Sequence, residues 1–128
     1  MPHFTIEYSS NLDGVVDLTA LCREVLKTAL ASGVFETGAV RVRAIRCDAY
    51  AIADDMPDNS FIDVSLRLAA GRDLATRKNL GDQVFEAMTQ FLALQFPAQH
   101  FALSFEVREI DPQLSWKKNS IHDRLRTA

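Results

Sequence analysis

Four short stretches of the chain alternate between apolar and polar residues, and a longer stretch with helical spacing lies within each half. Alternation with a period of two predicts a half-buried strand, whereas apolar residues at i, i+3, i+4 and i+7 predict an amphipathic helix. The predicted order is strand, helix, strand, and then the same three elements again. The predicted strands cover residues 4–8, 39–46, 61–70 and 102–110.

Each predicted helix begins at an aspartate that can accept a hydrogen bond from the first turn, Asp17 for the first helix and Asp73 for the second. Gly33 follows the first helix, and Phe96-Pro97 ends the second. The predicted core positions are Leu18, Leu21, Cys22, Val25, Leu26, Ala29 and Leu30 in the first helix, and Leu80, Val84, Phe85, Met88, Phe91 and Leu92 in the second.

The element order predicts an α/β fold of two βαβ units. A right-handed crossover makes the two strands of each unit parallel, so both helices cover one face of a four-stranded sheet. We expect one domain over residues 1–128, with a pseudo-repeat of 2–60 and 61–110 and a C-terminal interface tail at 111–128. Trp116 and Ile121 should dock on this sheet or on a neighbouring subunit. The uncovered, apolar sheet face would favour self-association.

Composition narrows the class of function. The chain has 128 residues, of which 48% are hydrophobic, enough for a single core. Fourteen basic and seventeen acidic residues give a net charge of −3, which is unsuited to a general nucleic-acid binder. No apolar run reaches the length of a membrane span, and no leader is visible, so we expect a cytoplasmic protein. Ten of the cations are arginines, which suit small carboxylates.

Pro2 is the candidate catalytic residue. The small second residue favours removal of Met1, and the exposed secondary amine would then be fixed at the start of a strand. A terminal amine titrates near neutrality, and burial or nearby cations lower its pKa further. The alternative is a proline that merely begins an edge strand.

Other residues with possible chemistry have simpler interpretations. Arg41 and Arg43 share one face of the second strand, which is either a solvated face or part of a site at the N-terminus. The aspartates of residues 47–60 lack the pattern of a calcium loop and predict a solvated loop. We interpret His3 as structural and His122 as solvated.

Neither redox nor zinc chemistry is indicated. The two cysteines, Cys22 and Cys47, have no CxxC spacing. Cys22 lies on the apolar stripe of the first predicted helix, which favours an inert thiol in the core.

Five segments together resemble one known family. They are Met1-Pro2-His3-Phe4, Val40-Arg41-Val42-Arg43, Ala70-Gly71-Arg72, Leu103-Ser104-Phe105-Glu106 and the ending Trp116 to His122. The N-terminal proline, the long two-repeat architecture and the Gly71-Arg72 turn are the most specific features. With these segments the chain is similar, over nearly its whole length, to the 5-carboxymethyl-2-hydroxymuconate isomerases of the tautomerase superfamily.

The resemblance implies a homotrimer in which Pro2 is the base that moves a proton between a dienol and its ketone, without metal or organic cofactor. It implies that Arg41 and Arg72, assisted by Arg43, bind the carboxylates of an unsaturated dicarboxylate or tricarboxylate. The implied substrate is 5-carboxymethyl-2-hydroxymuconate, in the degradation of 4-hydroxyphenylacetate through homoprotocatechuate. Short tautomerases lack a tail like residues 116–122, so the resemblance leaves open whether that tail lines the active site or only the subunit interface.

Two alternatives remain open at this stage. The same scaffold hosts phenylpyruvate-type tautomerases and hydrolytic dehalogenases, because one fold supports several chemistries. A non-catalytic trimeric binding module is the other alternative, and retention of Met1 would favour it.

Overall fold

The computed structural model describes residues 1–127 and contains the predicted strands and helices. All four strands begin and end within a few residues of their predicted bounds. A further helix near the C-terminus was not predicted. In chain order the elements are β1 (His3–Ser9), α1 (Leu18–Ala31), β2 (Arg41–Cys47), β3 (Ser60–Ala69), α2 (Leu74–Phe91), β4 (Phe101–Ile110) and α3 (Ser120–Thr127).

The sheet has the strand order β2-β1-β3-β4. β1 is parallel to β2 and β3 is parallel to β4, as two βαβ units require, while β1 and β3 meet in the centre as an antiparallel pair. His3 stands opposite Arg41 on one side and Arg67 on the other. The α/β fold class is therefore confirmed, and the start of β1 lies between the start of β2 and the end of β3.

Both long helices begin as predicted. The Asp17 side chain accepts a hydrogen bond from the Ala20 amide (3.0 Å), and Asp73 accepts one from Thr76 (2.8 Å). The helices pack on one face of the sheet and enclose a single core cluster. Its fully buried members include Phe4, Ile6, Leu21, Val25, Ile62, Val64, Leu66, Leu68, Leu80, Val84, Met88 and Leu92.

Two core assignments on α2 were wrong. Phe85 and Phe91 are 42% and 39% exposed, respectively. α2 presents only a narrow stripe to the core, formed by Leu80, Val84 and Met88. Phe85 instead lines a groove between α2 and the edge strand β4.

The uncovered sheet face is polar, so the expectation of an apolar face was wrong. Odd-numbered residues of β1 and β3 point to this side, and Glu7, Asp63 and Arg67 on it are exposed. Ser104 on β4 donates a hydrogen bond to Asp63 across the strands (2.6 Å). Side chains of this kind are satisfied by water or by each other, so the face does not require an apolar cover.

The C-terminal tail returns to its own chain. After β4 it crosses to the loop between α1 and β2, where α3 packs against the turn Thr37–Ala39. Trp116 is 84% exposed and Ile121 is also exposed, so neither docks on the sheet of the single chain. Every helix within residues 1–127 is too short or too polar to span a membrane.

Candidate active site

A cavity of about 450 Å³ lies at the end of the sheet where β1 begins. Loops from three regions meet there: the connection from α1 to β2, the turn from β3 to α2, and the C-terminal tail. Gly33 and Gly71 adopt positive φ angles of 74° and 121°, which turn the chain sharply into the first two of these loops. The cavity walls include Pro2, Phe35, Glu36, Arg72, Lys117, Asn119, His122 and Arg126.

Pro2 is buried in this cavity immediately before β1. Its carbonyl oxygen accepts a hydrogen bond from the Arg41 amide (3.1 Å), which extends the pairing of β1 with β2 to the second residue. The backbone at Pro2 is therefore held by the sheet, and Met1 is the residue beyond it. Pro2 shares its side of the strand with the core residue Phe4, whereas His3 points to the open face.

Arg72 lies beside Pro2 in the cavity and is half-buried. Its guanidinium carbon stands 5.1 Å from the centroid of the Phe35 ring, within the range of a cation–π contact. Its nitrogens donate to the carbonyl oxygens of Ala69 (3.4 Å) and Val34 (3.5 Å). Within residues 1–127 Arg72 forms no ion pair with a carboxylate. It is a positioned cation able to receive an anion.

The structure does not place the other two predicted arginines on the cavity wall. Arg41 begins β2, and its Nη1 donates to the carbonyl oxygens of Gly38 (2.9 Å) and Val40 (3.2 Å). Arg43 lies on the open face, where its Nη1 donates to Nδ1 of His3 (3.2 Å). Burial, followed by the charges of Arg43 and Arg67, lowers the pKa of His3. His3 and Arg43 thus form a pair outside the cavity.

The tail contributes cavity residues that were not predicted from the sequence. The Asn119 side chain accepts hydrogen bonds from the amides of Ile121 (3.0 Å) and His122 (3.1 Å), and so caps α3. Its Nδ2 donates to the Gly38 carbonyl oxygen (2.8 Å). Asn119 followed by Ile121 and Leu125 at helical spacing was the signal that could have identified α3.

An ion-pair cluster fixes the far end of the tail. Arg126 donates two hydrogen bonds to the Glu36 carboxylate (2.8 and 2.7 Å), and this contact lowers the pKa of Glu36. Nδ1 of His122 lies 3.6 Å from the same carboxylate. The His122 side chain is only 16% exposed, so the interpretation that it is solvated was wrong.

The terminal amine experiences a positive potential. The pKa of the Met1 amine is lowered from its ordinary value, first by burial and then by Lys117, with smaller effects from Arg72 and Arg41. Lys117, like Arg72, forms no ion pair in the part of the chain that the structure describes. Neither this region nor any other between residues 1 and 127 has a cluster of side chains that could hold a metal ion.

Comparison with known proteins identifies the family. The family model of 5-carboxymethyl-2-hydroxymuconate isomerase matches residues 2–125. A 5-carboxymethyl-2-hydroxymuconate Delta-isomerase of Escherichia coli is 34% identical over 122 residues, which are 95% of this chain and 97% of the relative.

Solved structures show the same relationship. The crystal structure of a 5-carboxymethyl-2-hydroxymuconate isomerase from Deinococcus radiodurans R1 superposes with a TM-score of 0.91 at 35% identity, covering 98% of this chain and 94% of the other. A fused 4-OT, described as a symmetric trimer, shares the fold alone, with a TM-score of 0.66 at 12% identity over 91% of this chain and 94% of that one. The protein is thus an isomerase, and the chain belongs to the 5-carboxymethyl-2-hydroxymuconate isomerase family.

Proposed function

We propose that the chain isomerises 5-carboxymethyl-2-hydroxymuconate to its keto form, with the N-terminal amine of Pro2 as the base. The observation that carries this proposal is the burial of Pro2 in a cavity with Arg72, a cation without a carboxylate partner in residues 1–127. The substrate is taken from the names of relatives that match nearly the whole chain. Because the reaction redistributes one proton within a dienol, it needs no electron acceptor.

Removal of Met1 would turn the amide nitrogen of Pro2 into a secondary amine inside the cavity. Burial and the cations Lys117, Arg72 and Arg41 lower the pKa of the Met1 amine. We expect the Pro2 amine, one residue further into the same environment, to be affected in the same direction. A lowered pKa keeps the amine neutral at lower pH, and a base whose pKa is close to ambient pH is the most effective.

These positions support the following proton transfer. The neutral amine accepts the proton of the enol hydroxyl, the double bonds shift along the diene as the oxygen becomes a carbonyl, and a diene carbon receives a proton from the protonated amine. Arg72 would bind a substrate carboxylate and stabilise the negative charge that develops on the dienolate. Arg41 would support the same charge from the start of β2, whereas Arg43, paired with His3, has the weaker case for an assisting role.

We also propose a homotrimer in a reducing compartment, the cytoplasm. Both β2 and β4 are edge strands, and Trp116 is exposed beside the open sheet face. Edge strands and exposed aromatic residues are commonly covered by other subunits. Both cysteines are free, as expected in a reducing compartment.

An ultraviolet assay of purified protein tests the activity. Dienol acids absorb differently from their conjugated ketones, so 5-carboxymethyl-2-hydroxymuconate can be followed beside phenylpyruvate and a haloacrylate. We expect kcat/KM to be highest for the muconate, by at least about tenfold. A higher value for phenylpyruvate, or release of halide from the haloacrylate at a comparable rate, would assign the chain to one of the alternative reactions.

A further inference from the structure

We propose that Lys117 and Asn119 of the C-terminal tail form a carboxylate subsite at the mouth of the Pro2 cavity, which selects substrates with a third carboxylate. This inference rests on the proposed function and deepens it. The occupant would be the carboxymethyl carboxylate, the group that distinguishes a tricarboxylate dienol from an otherwise identical dicarboxylate.

The charges around the cavity support such a subsite. Two acidic side chains, Glu36 and Asp123, also line it, but Glu36 is paired with Arg126, and Asp123 lies in the field of the same arginine. Lys117 and Arg72 have no carboxylate partner within residues 1–127. Arg41, which lies outside the cavity wall, adds a third positive charge to the field at the terminal amine, and three positive charges equal the three negative charges of a tricarboxylate. A dicarboxylate would leave one of them uncompensated.

The position of Met1 indicates where the third carboxylate would bind. Nδ2 of Asn119 lies 3.4 Å from the sulfur of Met1, and Met1 lines the cavity together with Lys117. When Met1 is removed, the space between Pro2, Asn119 and Lys117 opens, and both polar groups lose a neighbour. A carboxylate in that space would accept a hydrogen bond from the side-chain amide of Asn119 and a charge-assisted hydrogen bond from Lys117.

The tail is held in place by contacts that do not involve a substrate. Asn119 bonds to Gly38, and Arg126 to Glu36. A Cβ atom at Gly38 would lie 2.9 Å from Nδ1 of His122 and 3.0 Å from its backbone, so the tail and the loop are packed at backbone contact. Such anchoring positions the subsite in advance, which lowers the entropic cost of binding.

The test compares two dienols that differ by the carboxymethyl group, 5-carboxymethyl-2-hydroxymuconate and 2-hydroxymuconate. Values of kcat/KM are measured on the alkaline plateau, where the Pro2 amine is neutral in every variant, and expressed as the ratio of tricarboxylate to dicarboxylate. We expect Lys117→Met to lower this ratio by about tenfold, and Lys117→Arg to restore most of it. Lys118→Met, at the adjacent exposed position outside the cavity, is the matched control and should preserve the ratio.

An unchanged ratio in Lys117→Met, or an equal fall in Lys118→Met, would overturn the subsite. If the wild-type enzyme converts neither dienol, the proposed function fails and calorimetric binding of the two acids decides the subsite separately. The subsite is supported if the wild-type protein binds the tricarboxylate more tightly than the dicarboxylate and Lys117→Met loses this difference. Equal affinity of the wild-type protein for both acids would refute it.

Discussion

Replacement of Arg72 by alanine separates a functional cation from an ordinary surface arginine. In the structure the Arg72 guanidinium stacks on Phe35 and lines the Pro2 cavity without an acidic partner in the described chain. If it binds a substrate carboxylate, the lost charge-assisted interaction is worth about 1.5–3 kcal/mol, or roughly one to two decades in kcat/KM. Arg72→Lys should recover only part of this, because an ammonium lacks the planar fork.

The same substitution should also move the pH dependence. Burial and Lys117 lower the pKa of the terminal amine most, and Arg72 lowers it further, so loss of the Arg72 charge stabilises the protonated amine and raises that pKa. The acidic limb of the kcat/KM profile reports the pKa of the base in the free enzyme, so this limb should move to higher pH. Loss of the cation–π contact is worth about 0.5–1 kcal/mol, so Tm should fall by only a few degrees and the fold should persist.

Arg43→Ala is the matched control, since Arg43 lies with His3 outside the cavity. We expect Arg43→Ala to change kcat/KM far less than Arg72→Ala. The reasoning is refuted if Arg72→Ala retains near-normal kcat/KM with an unmoved acidic limb, or if the two variants lose the same activity.

Two further predictions concern the tail and the base. Gly38→Ala should raise KM severalfold and lower Tm, because the new methyl would displace His122. Gly81→Ala is the control and should be tolerated, because its new methyl would lie at an ordinary contact distance of 3.8 Å from Val107. Equal KM values in the two variants would contradict the role of the tail. Pro2→Ala should lower kcat/KM by about 100-fold or more while circular dichroism remains native, because the primary amine of the alanine is no longer held in place by a ring, and a positioned general base contributes about 10²–10⁴. Wild-type turnover in this variant would show that the secondary amine is not required.

The fold followed from local patterns. The strands and the long helices could be predicted because their signals act over only a few residues. These signals are the alternation of residues such as Phe4 and Ile6 in a strand, and the helix caps at Asp17 and Asp73. Phe85 was wrongly assigned to the core, because helical spacing identifies the apolar side of a helix but does not show how much of that side the sheet covers. α2 lies over the edge strand β4, and part of its apolar surface remains exposed there.

The site was only partly predictable, because its composition depends on contacts between distant parts of the sequence. Pro2 and Arg72 could be named in advance and do meet in one cavity. The contacts that bring in the tail, Asn119 with Gly38 and Arg126 with Glu36, join residues about 80 to 90 positions apart. No periodicity within the tail encodes those contacts.

The most direct test of the proposed mechanism follows activity as Met1 is removed. Protein that retains Met1 is treated with a methionine aminopeptidase, and intact mass and turnover of 5-carboxymethyl-2-hydroxymuconate are measured on the same samples. If the Pro2 amine is the base, turnover starts near background and rises in proportion to the fraction of chains that begin at Pro2. Full turnover in protein whose mass still includes Met1 would contradict the mechanism.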